Sequence, residues 1–349
     1  MRALVFDGPE RPLRLEERPP PEAGPGEVIV KVAYCGVCGS DLHGTEPGPF
    51  QLPSGVVLGH EFAGEVAESA AQGIAVGDRV IGVPLAPCAD CGGVAGACRD
   101  GLGILCPKTR IVGLAPSAPG AYADYVRLGA PQILPVPQDL PLDAAALAEP
   151  LAVGAHAVCL AGPLLGRRVL VQGAGPIGLA TVAFAHAAGA GRIVVSEIDP
   201  IRRERAAAFG ATSLVDPAAE DLAAAFEAAA GGPPETIFEC VGVPGMLRAA
   251  IDLAAVCGHI VVVGVVRQED SLLPRIAIRK ELNLQFALGY VPRDFALALD
   301  LLAKRPELAA AMITARVGFP ELPDLFEALR RPNPHGKVLL QPDAMTSPA

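Results

Sequence analysis

Between residues 166 and 263, short apolar runs alternate with longer segments of helical composition. The apolar runs include RVLVQ, RIVVS, TIFEC and HIVVVG, which are rich in β-branched residues and show no polar alternation. Such runs are typical of strands that are buried on both faces of a parallel sheet, where crossover helices join one strand to the next. This part of the chain is therefore predicted to be α/β, with a doubly wound parallel sheet.

A glycine-rich turn follows the first of these strands, in VLVQGAGPIGLA. Gly173, Gly175 and Gly178 fit the pattern G-x-G-x-x-G, in which the glycines allow a tight turn, backbone approach to a pyrophosphate, and close packing of helix on strand. The N-terminus of the following helix would offer unpaired N–H groups to that anion. The turn therefore predicts a dinucleotide site. Two alternatives are a turn needed only for packing and the related turn of an S-adenosylmethionine enzyme.

An acidic residue ends the second strand. Glu197 could accept hydrogen bonds from a ribose diol and would repel a 2′-phosphate, which favours NAD over NADP. Arg202 and Arg203 lie nearby and weaken that preference. The full predicted cofactor-binding set is Gly173, Gly175, Pro176, Ile177, Gly178, Glu197, Arg202, Val241 and Gly264.

The remainder of the chain has a different pattern. Residues 1 to 150 alternate short β-type runs with Gly- and Pro-rich turns, which is typical of a compact β domain. A length of 349 residues also favours two domains. We predict one domain from residues 1–150 and 291–349 and a second from residues 151–290.

Charge and hydropathy limit the possible partners. A net charge of −10 without any Lys/Arg run opposes nucleic-acid binding. The first residues lack a secretory apolar run, and the long apolar stretch from Val169 to Gly191 is interrupted by glycines, so we expect a cytoplasmic chain without membrane contact. In a reducing compartment, the nine cysteines indicate metal binding or catalysis, not disulfides.

Metal-binding residue types cluster in CGVCGSDLHG, at residues 35–44, which contains Cys35, Cys38, Ser40, Asp41 and His43. Downstream, GHE supplies His60 and Glu61, and LAEP supplies Glu149. A thiolate, an imidazole and one or two carboxylates form a zinc site that keeps a position open for an exchanging oxygen. The pattern predicts a catalytic metal.

A second cysteine cluster, PCADCGGVAGACRDGLGILCP, has the spacing C-x2-C-x6-C-x7-C. Four thiolates would close a tetrahedral structural zinc site, which leaves no position open for chemistry. The alternative is a lobe with four free thiols and no metal. We predict a structural zinc held by Cys88, Cys91, Cys98 and Cys106.

The motifs CGVCGSDLHG, GHEFAGEV, LAEPLAVGAHA and VLVQGAGPIG, in this order, resemble those of the zinc-dependent medium-chain alcohol dehydrogenases. The resemblance covers essentially the whole chain. It implies a GroES-like catalytic domain that carries the metal and a Rossmann domain that carries NAD. The second cysteine cluster departs from the family pattern, because its middle spacing is four residues longer.

Matching the motifs residue by residue implies the individual roles. Cys38 and His60 are zinc ligands, Cys35 is not, and Glu61 and Glu149 compete for the remaining protein position. Ser40 would accept the alcohol proton, and His43 would release it to solvent by way of the nicotinamide ribose. Asp41 would orient His60. A glutamate at position 149 is similar to the sorbitol, butanediol and threonine dehydrogenase branch, which implies secondary alcohols.

We therefore expect a zinc-dependent oxidoreductase that transfers hydride between NAD and a secondary alcohol, such as a diol, polyol or cyclic alcohol, giving a ketone. An NADPH-dependent carbonyl reductase is one alternative. A nucleotide-binding protein of the same fold without activity is another. The only partner expected besides the small-molecule alcohol or ketone is a second copy of the chain. Bacterial relatives in the family imply a homotetramer or a dimer.

Overall fold

The computed structural model describes residues 1–86, 88, 96–99 and 101–344. The chain divides into two compact units, Met1–Glu149 with Val291–Ala349, and Pro150–Tyr290. Each unit has its own hydrophobic core. The α/β class with a GroES-like part and a Rossmann sheet, predicted from the sequence, is confirmed.

The N-terminal part of the first unit is built mainly of strands. Its β3 has a largely buried pattern and pairs with three other strands, so it lies at the centre of the sheet. In chain order the elements are β1 (Arg2–Phe6), β2 (Arg14–Glu17), β3 (Glu27–Gly36), α1 (Gly39–Gly44), β4 (Val56–Val57), β5 (Glu61–Ser69), β6 (Arg79–Gly82), β7 (Leu85–Ala86), α2 (Gly96–Arg99), β8 (Arg110–Ile111), β9 (Tyr125–Gly129), β10 (Ile133–Pro135) and α3 (Leu142–Ala145), with 3-10 turns at Gly103–Leu105 and Ala130–Gln132.

The second unit alternates strands and helices. The helix α4 (Ala148–Ala161) begins two residues before this unit, which starts at Pro150, and continues into it. Its other elements are β11 (Arg168–Gln172), α5 (Pro176–Ala187), β12 (Arg192–Ser196), α6 (Pro200–Phe209), β13 (Ser213–Val215), α7 (Leu222–Ala230), β14 (Thr236–Glu239), α8 (Met246–Leu253), β15 (His259–Val262), α9 (Pro274–Lys280) and β16 (Asn283–Phe286).

The last described segment belongs to the first unit. It contains α10 (Pro292–Lys304), α11 (Glu307–Met312), β17 (Ile313–Val317), α12 (Leu322–Ala328) and β18 (Lys337–Leu340). β18 pairs antiparallel with the end of β3, and β17 extends the sheet beyond it. The final strand therefore lies beside the residues that lead into α1.

The described strands of the first unit form a mixed seven-stranded sheet, an antiparallel three-stranded sheet and an antiparallel pair of β7 and β8. The seven-stranded sheet has the order β10-β6-β5-β3-β18-β17, with β9 also paired to β3. The three-stranded sheet has the order β2-β1-β4. The core between them contains Leu4, Val30, Phe62 and Tyr122, all at most 2% exposed.

The second unit contains one six-stranded sheet in which all neighbours are parallel, with the order β13-β12-β11-β14-β15-β16. The chain order reverses between β11 and β14. In open parallel sheets, ligands bind beyond the carboxyl ends of the strands at such a reversal. The glycine-rich turn follows β11 and therefore lies at this position.

The apolar stretch from Val169 to Gly191 contains β11, the glycine turn and the 12-residue helix α5. Among the described residues, no helix has the length and apolar character needed to cross a membrane.

Gly178 and Gly175 differ in the space around them. A Cβ on Gly178 would lie 2.0 Å from the carbonyl oxygen of Gly173, whereas a Cβ on Gly175 would have no atom within 4 Å. Gly178 therefore permits the close packing of α5 on the end of β11. Gly175 has no such packing role.

We expect Gly178→Ala to destabilise the protein by about 1–3 kcal/mol, the usual cost of overpacking a buried contact. Thermal unfolding followed by circular dichroism should show a midpoint several degrees lower. Gly175→Ala is the matched control and should lower the midpoint by much less, because the added Cβ would have no atom within 4 Å. Equal midpoints for the two variants would contradict the packing role of Gly178.

Candidate metal and cofactor sites

Cys38 begins α1. It is the N-cap residue, with extended backbone angles of φ −102° and ψ 152°. Its backbone N–H donates to Asp41 Oδ2 at 3.0 Å. An acidic residue three positions after the cap satisfies one of the N–H groups left unpaired at a helix start, which explains why CGSD ends the preceding strand and starts a helix.

His60 lies directly before β5 and is 4% exposed. Its Nδ1 is 3.3 Å from Asp41 Oδ1, and its Nε2 is 3.3 Å from Ser40 Oγ. Burial alone would lower the pKa of His60, but the negative charges of Asp41 and Cys38 raise the pKa well above its ordinary value. The imidazole therefore lies in a strongly anionic environment.

Tyr122 fixes Asp41 from the other side. Its hydroxyl donates to Asp41 Oδ2 at 2.8 Å, and both side chains are fully buried. Burial, together with the Asp41 charge, raises the pKa of Tyr122 well above its usual value, so the phenol stays protonated and remains a donor.

The structure brings together Cys38, His60 and Glu61, which form the metal group. One ligand atom from each lies within 4.8 Å of the others. Glu61 Oε2 is buried and has no hydrogen-bond partner among the described residues. A thiolate, an imidazole and a carboxylate form the mixed donor set that zinc accepts, so these residues fit the ion. Cys35 is not part of this group, and its fully buried thiol has a pKa raised by burial.

A buried lysine completes this region. Lys337 Nζ is 2.7 Å from Glu61 Oε1 and donates to the Val37 carbonyl at 3.0 Å. Burial alone would lower the pKa of Lys337, but Glu61, Cys38 and Glu149 raise it above its ordinary value. The lysine therefore stays charged.

Glu149 is buried in the first turn of α4. It is outside the group formed by Cys38, His60 and Glu61, but its charge acts on the same lysine as that of Glu61. Both candidate carboxylates thus lie near one fixed cation.

His43 lies one helical turn after Ser40 on α1. Its side chain is 45% exposed, with Nδ1 3.9 Å from Glu46 Oε2. Residues three apart share one face of a helix, so Ser40 and His43 point to the same side of α1. Ser40 is also exposed.

The second cysteine cluster is described in part. Cys88, Cys98 and Cys106 have their sulfur atoms within 4.8 Å of one another, and Cys91 lies outside the described residues. A hydrogen bond from the Lys108 backbone, followed by one from Cys98, lowers the pKa of Cys106 to about 7. At pH 7 such a thiol is about half deprotonated, and the thiolate is the form that binds metals.

The glycine turn adopts a geometry open to an anion. Gly173 has φ +92°, a value that favours glycine, and Gly175 caps α5 with Pro176 as the first helical residue. Pro176 and Ile177 lie in the first turn of α5 and are half-buried, whereas Gly178 is buried against the strand. Helix N–H groups at this position suit a pyrophosphate.

Glu197 is 9% exposed, and backbone N–H groups hold both of its oxygens. Oε2 accepts from Ala174 at 2.8 Å, and Oε1 accepts from Asp199 at 3.0 Å. The carboxylate is therefore fixed beside the glycine turn. Its oxygens still have lone pairs for a ribose hydroxyl.

The two arginines near Glu197 are placed differently. The Arg203 guanidinium donates to the carbonyls of Glu197 and Ile198 and lies 3.2 Å from Asp216 Oδ2. Arg202 lies in the first turn of α6, where its backbone N–H donates to Asp199. The Arg203 side chain is thus held by contacts within the protein.

Val241 and Gly264 follow the two neighbouring strands β14 and β15. Val241 is 42% exposed, and Gly264 packs against Gly242, where a Cβ would lie 2.3 Å from the Gly242 nitrogen. Both residues lie at the carboxyl edge of the parallel sheet.

Sequence analysis missed two residues of these sites. Tyr122 and Lys337 carry no local motif, and both reach the site through contacts distant in sequence.

Comparisons with known proteins agree with this architecture. Residues 24–138 match the family model for the alcohol dehydrogenase GroES-like domain, and residues 176–304 match the model for zinc-binding dehydrogenase. An L-threonine 3-dehydrogenase from Rhizobium johnstonii is 33% identical over 97% of this chain and 98% of its own.

Two solved structures are also similar. One, of 2R,3R-butanediol dehydrogenase from Bacillus subtilis, has a TM-score of 0.88 and 31% identity over 98% of this chain and 99% of that chain. Another, from Sinorhizobium meliloti with NADP bound and described as a zinc-binding dehydrogenase, has a TM-score of 0.87 with 31% identity and the same coverage. The resemblance inferred from the motifs is confirmed: this chain belongs to the zinc-dependent medium-chain alcohol dehydrogenase family.

Proposed function

We propose that this enzyme oxidises a secondary alcohol, such as a diol, polyol or cyclic alcohol, to a ketone and transfers the hydride to NAD. The observation that carries the proposal is the convergence of Cys38, His60 and Glu61. Threonine and butanediol, the substrates named for two relatives, both carry a hydroxyl group on a secondary carbon.

Cys38, His60 and either Glu61 or Glu149 would hold a zinc ion. Bound zinc supplies Lewis-acid chemistry, which lowers the pKa of a coordinated hydroxyl group. The Asp41 carboxylate faces His60 Nδ1, which leaves Nε2 for the metal. The charged Lys337 offsets one of the two carboxylates, so the site need not hold two uncompensated negative charges next to the Cys38 thiolate.

Ser40 and His43 would remove the alcohol proton. Ser40 lies next to the metal group, with its hydroxyl 3.3 Å from His60 Nε2. From this position it can accept a proton from the hydroxyl group of a bound alcohol. The exposed imidazole of His43, on the same face of α1, can release a proton to solvent near neutral pH.

The nicotinamide cofactor would accept the hydride, and its pyrophosphate would bind at the glycine turn. The fixed Glu197 supports a preference for NAD. Arg203 is engaged with backbone carbonyls and Asp216, which makes it a poor ligand for a 2′-phosphate. The NADP in the Sinorhizobium meliloti structure keeps an NADPH-dependent carbonyl reductase as the second candidate.

The family's GroES-like domain and Cys cluster support a second, structural zinc on Cys88, Cys98 and Cys106, with Cys91 as the fourth ligand. Its role would be to hold the lobe around residues 88–106 in shape, because four protein ligands leave no open position.

We further propose that the protein is a cytoplasmic homo-oligomer, a dimer or tetramer. The cysteines cluster at spacings typical of metal ligands, which favours a reducing compartment over one where disulfides form. Among the described strands, β16 pairs on one side only, and Phe286 and Leu288 near this edge are 64% and 54% exposed. An exposed apolar edge strand favours pairing with a second copy.

The proposed alcohol oxidation is tested by NADH formation with a panel of secondary alcohols, diols and sugar alcohols. We expect turnover that is lost after treatment with a chelator. Cys38→Ala should abolish turnover and lower the zinc content by one ion per chain, while NAD binding persists. Zinc content is measured by atomic emission, and NAD binding by calorimetry.

Cys35→Ala is the matched control, because Cys35 is buried three residues away and lies outside the metal group. It should keep both the zinc content and the turnover. Full activity of Cys38→Ala, or of the native protein after complete metal removal, would refute the proposed chemistry.

His43→Ala should slow turnover mainly below neutral pH. Hydroxide is scarce there, so proton release depends on the relay, whereas at alkaline pH solvent can take the proton directly. The measurement is the pH profile of kcat. His186→Ala, which removes an exposed imidazole from the other unit, should leave the profile unchanged. A uniform loss at all pH values for His43→Ala would argue against a relay.

Cofactor preference tests the role of Glu197. We expect kcat/KM to favour NAD over NADP by about 100-fold, which corresponds to about 2.8 kcal/mol at 1.4 kcal/mol per tenfold. Glu197→Gln keeps the size and removes the charge, so it should reduce this ratio at least tenfold. Glu204→Ala, on the exposed face of α6, should not change it. A native preference for NADP would instead support the carbonyl reductase.

A further inference from the structure

Glu239 is a buried acid that the proposed reaction does not use. It ends β14 and is 0% exposed. Its Oε1 accepts the backbone N–H groups of Val241 at 2.7 Å and Gly242 at 2.8 Å. One carboxylate oxygen thus holds the first turn of the loop that follows β14.

The backbone of the same residue holds a second loop. The Glu239 carbonyl accepts the N–H groups of Val263 and Gly264, each at 2.8 Å. These two residues directly follow β15, the neighbour of β14 in the sheet. Glu239 is therefore bonded to the loops after both strands.

Close packing joins these two loops. A Cβ on Gly264 would lie 2.7 Å from Glu239 Oε2 and 2.3 Å from the Gly242 nitrogen. Gly242 has φ +72°, and a Cβ there would lie 2.7 Å from the Val265 nitrogen. The Glu239 carboxylate is therefore hydrogen-bonded to the first loop and closely packed against the second.

The sheet order assigns these loops to one half of the cofactor. The glycine turn follows β11, and Glu197 follows β12, so these residues would hold the pyrophosphate and the adenosine ribose. The loops after β14 and β15, on the opposite side of the reversal, would then receive the nicotinamide half. Val241, Val243 and Val265 are 42%, 47% and 63% exposed at this edge.

We propose that Glu239 is a positioning residue for the nicotinamide half of the cofactor. It acts through the loops after β14 and β15, whose valines and backbone form the surface for the nicotinamide nucleotide. The inference rests on the proposed binding of a dinucleotide at this edge of the sheet. It assigns Glu239 no contact with substrate or metal.

The test compares two ligands in the full-length protein by calorimetry. NADH contains the nicotinamide nucleotide, whereas ADP-ribose lacks the nicotinamide. Glu239→Ala should weaken NADH binding at least tenfold and leave ADP-ribose binding within twofold of the native value. Glu239→Gln retains a carbonyl oxygen that can accept both N–H groups, so NADH binding should stay within threefold of native.

Glu235→Ala is the matched control. Glu235 directly precedes the same strand at its amino end, where its carboxylate accepts the Arg168 N–H at 3.0 Å. This variant removes a comparable carboxylate-to-backbone contact at the opposite edge, so it should change the binding of neither ligand. If Glu239→Ala does not fold by circular dichroism, Glu239→Leu carries the same test, because its side chain fills the buried space and has no oxygen to accept the two N–H groups.

Equal losses of NADH and ADP-ribose binding in the Glu239 variant would overturn the inference, since they would show a general effect on the unit. Unchanged binding of both ligands would overturn it as well. A native protein that binds neither ligand would instead contradict the proposed function itself. The loss of NADH binding alone is the outcome that supports a positioning role.

Discussion

The buried ion pair between Lys337 and Glu61 is the contact on which the arrangement around Cys38 depends. β18 runs antiparallel to the end of β3, with Leu339 opposite Gly36, and this places Lys337 beside the residues that lead into α1. Burying a carboxylate without a partner is costly, and the lysine supplies that partner at 2.7 Å. With Glu61 anchored through Oε1, its second oxygen is buried and has no hydrogen-bond partner among the described residues. Gly36 is part of the same arrangement, because a Cβ there would lie 2.1 Å from Glu61 Oε2.

The parallel sheet uses one structural device on both sides of its chain reversal. Glu197 directly follows β12, and its carboxylate accepts the N–H of Ala174 in the glycine turn. Glu239 is the last residue of β14, and its carboxylate accepts two N–H groups of the following loop. Hydrogen bonds to a charged acceptor are stronger than neutral ones, so each carboxylate adds a strong contact to the backbone bonds that already hold its loop. The two acids differ in exposure and therefore in whether their carboxylates can also contact a ligand. Glu197 retains access to a ligand, whereas Glu239 is fully covered.

The features predictable from the sequence are those encoded within a few residues. The glycine turn, the buried β-branched strands and the acid after the second strand can each be recognised from local spacing. The fold class predicted from them is confirmed by the structure. The short motifs also named Cys38, His60 and Glu61, which the structure brings together. Lys337 and Tyr122 could not be found in this way. Lys337 contacts Glu61 across 276 residues, and Tyr122 contacts Asp41 across 81 residues. A single lysine in GKVLL carries no sign of its partner until the strand pairing is known.

Asp41 shows how one short motif organises residues from three parts of the chain. Its carboxylate accepts the N–H of Cys38 and the hydroxyl of Tyr122, and it lies 3.3 Å from His60 Nδ1. The first contact sets the start of α1, where Cys38 is the N-cap residue. The last is on the Nδ1 side of the imidazole, and Nε2 is 3.3 Å from Ser40 Oγ. A residue outside the proposed ligand set thus contacts two members of it, and it lies in the chain between the proposed ligand Cys38 and the proposed relay residue His43.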